Sequence, residues 1–281
     1  LAGRPRSSDP AYVDRARVLE ILARADGTAE LPRMGGMARA DGVVIASADH
    51  WAFAARDGSL REGSMPQPPE ALRRVPLVRG LIRLFSALAP LFRGAGVAGR
   101  GERLLLVAAL LAPLSLIVLP QSASLPLGIG TAVALLAWML RGRTLFLHGA
   151  EHRAIAAAEE HRLVATWNAE ARPSRFAPRC GTNFAALVVP VSVLFDRLWP
   201  LPAALYTPFA VTLLSLALTM ELWQLVQASR TRAARVFLLP GLALQRLTTR
   251  EPALEETQLA LTAVAAVLRR VETLAVVAGA V

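Results

Sequence analysis

The sequence predicts a mainly α-helical, polytopic membrane protein, with about four transmembrane helices, interfacial amphipathic helices and a small N-terminal β-containing cytoplasmic domain. Three observations predict it. Of 281 residues 54% are apolar, and they are clustered rather than periodic: no charged residue occurs from Leu104 to Leu140 or from Leu198 to Met220. A soluble core helix carries charge on its outer face. The basic residues are distributed by side, and a short stretch near the N-terminus alternates as strands do.

Residues 1–34 form an N-terminal extension in which Val13, Leu19, Ile21 and Leu22 among charges predict a short amphipathic helix, broken by Gly27 and Pro32. Residues 35–75 change texture. Gly42-Val-Val-Ile-Ala-Ser47, Trp51-Ala-Phe-Ala-Ala-Arg56 and Ser59-Leu60-Arg61 read as strands, and Asp57-Gly58 is a hairpin signal. Residues 76–98 place Leu77, Val78, Leu81, Ile82, Leu84, Phe85 and Leu88 among Arg79, Arg83 and Arg93. This suits a helix lying in the membrane interface, or a cytoplasmic coupling helix packed on protein.

The membrane domain covers residues 104–223. Pro120 to Pro126, with Gln121 and Ser122, divides the first apolar run into two stretches of about 17 residues, the lower limit for crossing a bilayer. Cys180–Phe195 is a third span, and the run after Asp196 and Arg197 is the fourth. A cytoplasmic loop, 142–179, joins the second and third. Residues 224–281 add a second interfacial segment and a closing helix from Glu251 to Glu272, with Pro252 and glutamates at its start. The alternative for the uncharged runs is a buried hairpin of a large soluble protein, but their length favours lipid contact.

Net charge is +10, and all 31 basic residues are arginine. Sixteen precede the first span, seven lie between Arg141 and Arg179, seven follow the fourth span, and only Arg197 falls on the opposite side. That distribution puts both termini and the central loop in the cytoplasm and argues against nucleic acid as the partner. It suits anionic lipids at the cytoplasmic surface. Cys180 is the single cysteine, so no intrachain disulfide forms.

One constellation carries chemistry. After the second span comes His148-Gly-Ala-Glu151-His152-Arg153, continuing helically to Glu159. At 100° per residue His152 lies about 40° from His148, Glu151 about 60° to the other side and Glu159 about 20° away, so all four share one face. Two imidazoles four residues apart can grip one divalent metal such as zinc. Glu159 can complete the set and Glu151 can act as general base. The order His-x-x-Glu-His is that of inverted zinc peptidases. The alternative is a charged interfacial helix bonded to neighbouring helices or headgroups. Arg179 and Cys180 stand at the start of the third span, and Glu221 stands at the same end of the fourth, where its apolar neighbours call for a partner. No phosphate-loop or Gly-x-Ser-x-Gly pattern occurs.

Four blocks occur in order: Val75-Pro-Leu-Val-Arg-Gly80, His148-Gly-Ala-Glu-His-Arg153 with Glu159, Pro178-Arg-Cys-Gly-Thr-Asn-Phe184, and Pro240-Gly-Leu-Ala-Leu-Gln-Arg-Leu-Thr-Thr-Arg-Glu-Pro252. In these the chain resembles the YqhQ-like family of bacterial membrane proteins of unknown function, predicted to be metal-dependent enzymes. The resemblance implies a multi-pass protein of the bacterial cytoplasmic membrane and a polar site at His148, Glu151, His152, Glu159, Arg179, Cys180 and Glu221. Ala177 stands where that pattern has histidine, and the glycine-rich block survives only in part as Gly35-Gly-Met-Ala-Arg-Ala-Asp-Gly42. Two functions follow as expectations: a metal-dependent hydrolase at the cytoplasmic interface, or a non-catalytic scaffold or accessory subunit of a larger membrane complex, docked on another protein or on its own copy. A transporter is disfavoured, because the ionisable residues gather at one edge of the spans.

Overall fold

The computed structural model describes residues 14–93, 97–111, 140–200, 206–229 and 236–279, with scattered positions at 122–123, 126–127, 130, 133–134, 137–138, 204, 231 and 234. In chain order its elements are α1 (Arg15–Asp26), β1 (Gly35–Ala38), β2 (Gly42–Ala46), β3 (His50–Ala55), β4 (Leu60–Ser64), α2 (Glu70–Arg74), α3 (Val78–Arg93), α4 (Arg100–Leu111), α5 (Thr144–Glu159), α6 (Leu163–Trp167), α7 (Gly181–Arg197), α8 (Thr207–Ala228), α9 (Leu239–Thr248) and α10 (Leu254–Gly279). The protein is mainly helical, with one small antiparallel sheet near the N-terminus. Among the described residues one helix, α8, is long and apolar enough to cross a membrane. Most of the first two expected spans, beyond Leu111, lies outside the described residues, as do Arg230, Arg232 and Arg235. The third expected span is α7, seventeen residues with Pro190 inside. The fourth begins later than its charge-free run, at Thr207.

Two compact units interleave along the chain. The first comprises residues 1–65, 142–177 and 249–281. Its sheet has the order β1-β2-β3-β4, every pair antiparallel. Val43, Ile45, Ala52 and Ala54 project from one face into a core with Ile21 and Leu22 of α1, Leu147, Ala150 and Ala154 of α5, and Leu261 and Val264 of α10. Alternation along a strand puts these four residues on the same side, and the alanines of α5 let α10 approach closely. On the other face Trp51 and Phe53 are also buried, so β2 and β3 read as unbroken apolar runs. Each ring covers a cross-strand glycine, Trp51 on Gly63 and Phe53 on Gly42. The expected turn sits at Asp57-Gly58, where Gly58 has φ 85° and Asp57 accepts from Ser59 N at 2.8 Å.

Helix ends in this unit are satisfied across the chain. Asp14 caps α1 through Ala16 N, and Asp26 at its far end accepts from Leu163 N and Val164 N at 2.8 and 2.9 Å, capping α6. Segment 249–251 runs hard against α5. The Arg250 N–H donates to the Leu145 carbonyl at 2.9 Å, and the Arg250 carbonyl oxygen lies on Gly149, where a Cβ would collide with it.

The second unit comprises residues 66–141 and 178–248. Here α8 packs on both α3 and α7, and α7 packs on α9. Gly80 of α3 lies against the Ala217 carbonyl, and Gly241 of α9 lies under Asn183 of α7. Arg79 forks onto Glu221, with Nε at 2.8 and 2.9 Å from the two oxygens and Nη2 at 2.7 Å, so Glu221 has the partner that its apolar neighbourhood demanded.

Gly149→Ala should lower stability by about 1–3 kcal/mol, because backbone on both sides must move. Gly35→Ala, with open space around it, should change stability by less than about 0.5 kcal/mol. Thermal melting of the two variants in detergent checks this.

Candidate metal centre

Helix α5 carries the constellation. Leu147, Ala150, Ala154 and Ala158 bury one side in the core, and the polar residues Glu151, His152 and Arg153 are buried as well. Burial of consecutive ionisable groups requires a partner for each. Each finds a different one.

His148 and His152 stack edge to face, their ring centroids 4.4 Å apart. His148 is half-buried and His152 is 1% exposed. Nδ1 of His152 lies 2.7 Å from the Arg175 carbonyl oxygen, which can only accept, so Nδ1 carries the proton. Nε2 is then left with its lone pair, buried and without a hydrogen-bond partner among the described residues. Burial first, and the neighbouring His148 second, push the His152 pKa down to about 3, so the ring stays neutral. A neutral imidazole with one nitrogen fixed by a carbonyl and the other bare is the form in which histidine binds a metal. The donor atoms of the two rings lie within 4.8 Å of one another, so the pair could hold one ion.

Glu151 points elsewhere. Its side chain packs on Gly36 of β1, where a Cβ would stand 2.8 Å from Cγ, so the glycine-rich block makes room for this carboxyl. Burial raises its pKa to about 8, against a backbone hydrogen bond at Ala38 that favours the charged form. Arg153 donates through Nε to the Pro173 carbonyl at 3.1 Å and through Nη2 to Glu251 at 2.6 Å. Glu159 is exposed at the end of α5, seven residues past His152 and so about 10 Å further along the axis.

The remaining expected site residues belong to the second unit. Arg179 is exposed. Cys180 caps α7, its Sγ accepting from Thr182 N at 3.4 Å and Thr182 Oγ1 at 3.2 Å. Glu221 is held by Arg79. The structure therefore brings together His148 and His152, turns Glu151 to the sheet, and sets Glu159 at the helix end. Arg175 holds His152 through its carbonyl, Arg153 and Glu251 bond to the loop and side chain of Arg175, and Gly36 receives Glu151. Arg153, Glu251 and Gly36 were visible beforehand only as members of the quoted blocks, and none of the four as a site residue.

A family model described as a protein of unknown function (DUF1385) matches residues 131–270. Over those residues the chain belongs to this family. It is the uncharacterised, YqhQ-like family that the sequence blocks resemble. No curated protein and no solved structure matches the chain. The DUF1385 stretch holds all seven expected site residues together with Arg153, Arg175 and Glu251, whereas the strands and Gly36 precede it.

Opposed titrations should be visible in metal-free protein. Glu151, raised in the fold, favours folding fully below about pH 4.5 and loses that contribution as pH climbs to about 8. His152, lowered in the fold, contributes above about pH 6.5 and is lost as pH falls toward 3. Glu151→Gln should therefore gain stability relative to the parent protein as pH rises from about 5 to 8, read as the difference between two melting curves in the presence of chelator.

Proposed function

We propose that this protein is a multi-pass protein of the bacterial cytoplasmic membrane that holds a divalent metal ion, such as zinc, between His148 and His152 at the cytoplasmic face. We further propose that it acts there as a hydrolase. One observation carries the metal reading: the bare, buried Nε2 of His152 beside a second imidazole, with Nδ1 tied to the Arg175 carbonyl. The residues fit a metal of the imidazole-binding class. When bound, such an ion supplies Lewis acidity and lowers the pKa of water.

The chain's own groups do the rest. His148 and His152 bind, and the Arg175 carbonyl orients the second ring. Glu151 has a pKa moved toward neutrality, which matches what acid–base work at neutral pH requires. Glu159 is left out of the ligand set because a continuous helix carries it about 10 Å beyond His152.

Membrane insertion is supported by α8, by the charge-free run from Leu104 to Leu140, and by Leu72, Val75, Val78 and Phe85, which are exposed beside exposed Arg73, Arg74 and Arg83. This mixture suits an interface with anionic headgroups. A second reading, a non-catalytic scaffold or accessory subunit bound to a membrane protein or to its own copy, is favoured by the direction of the Glu151 side chain. It fills a cradle on β1, where it serves packing.

Protein purified in mild detergent should carry about one equivalent of metal, retained on gel filtration and lost in His148→Ala and His152→Ala. Absence of stoichiometric metal from the parent protein contradicts the metal reading.

A further inference from the structure

We propose that Arg153, Glu251 and Arg175 form a positioning clamp whose task is to fix the ring orientation and tautomer of His152. The proposal rests on His148 and His152 as the metal-binding pair and names what prepares the second of them.

The tautomer of a histidine is set by whatever its other nitrogen bonds. Here that is a loop carbonyl, that of Arg175, and a loop carbonyl is only as well placed as the loop. Three contacts place it. Arg153, one residue after His152 on the same helix, donates to the Pro173 carbonyl at 3.1 Å, two residues upstream of the carbonyl that matters. The Arg175 side chain donates through Nη1 to the Thr249 carbonyl at 3.0 Å, and its Nε lies 3.7 Å from Glu251. Glu251 in turn accepts from Arg153 Nη2 at 2.6 Å.

Segment 249–251 is seated on the helix by the contact of Arg250 with Gly149. The path therefore closes on itself, from α5 through Arg153 and Glu251 to Arg175 and back to His152. Arg153 is 7% exposed, so Glu251 is also the counter-charge that makes its burial tolerable. A brace that served folding alone would need no carbonyl aimed at an imidazole nitrogen.

The full chain in detergent, metal-free and labelled with 15N-histidine, tests this by long-range proton–nitrogen correlation of the imidazoles, with His152→Gln identifying the signal. The parent protein should show His152 protonated on Nδ1. Glu251→Gln and Arg153→Lys should shift it toward the Nε2–H form and weaken cobalt(II) binding about 10- to 100-fold. Arg153→Lys, which keeps charge and stem, gives the reading if Glu251→Gln does not fold. A parent His152 protonated on Nε2 overturns the proposal, as do variants with the parent tautomer and affinity. If the parent binds no cobalt(II) but the variants lose the Nδ1–H tautomer, the metal reading fails and the clamp stands.

Discussion

The first unit depends on one close approach, the Arg250 carbonyl lying on Gly149. Any side chain at that position would lift segment 249–251 off α5. Glu251 would then leave Arg153, Thr249 would leave Arg175, and the start of α10 would move away from the helix it covers. Only a residue without Cβ permits the contact, and its consequence reaches from packing to chemistry, because the same segment fixes the loop that holds His152.

Burial then decides what the polar residues of α5 can be. Glu151, His152 and Arg153 are consecutive and all buried, which is costly unless each finds a partner. Arg153 is charged and paired, Glu151 is shifted toward its neutral form against β1, and His152 is neutral with half of its hydrogen-bonding capacity used. Of these groups His152 alone keeps an atom without a partner among the described residues. The bare Nε2, beside a second imidazole, is the observation on which the proposed metal site rests.

How much was legible follows from the physics of each element. Strands β2 and β3 and the turn at Asp57-Gly58 showed themselves because apolar runs and turn chemistry are local. Strand β1 did not, since Gly35-Gly36 lacks strand propensity, and the room that Gly36 leaves is taken by the Val44 carbonyl and by the Glu151 side chain, more than a hundred residues away. The four-residue spacing of His148 and His152 reported their stacking directly. The angular argument that added Glu159 counted rotation and not rise, and rotation alone makes distant residues look adjacent. Glu221 announced its need for a partner, but nothing local could identify Arg79, 142 positions away. The clamp was hidden for the same reason. Its members lie in three separate segments that meet only when Arg250 meets Gly149.

If Nε2 of His152 is a metal ligand with His148 beside it, X-ray absorption at the zinc K-edge of zinc-loaded protein will report it. An imidazole shell is expected at about 2.0–2.1 Å, diminished in His152→Ala. A shell without imidazole scattering, or one unchanged in that variant, would contradict it.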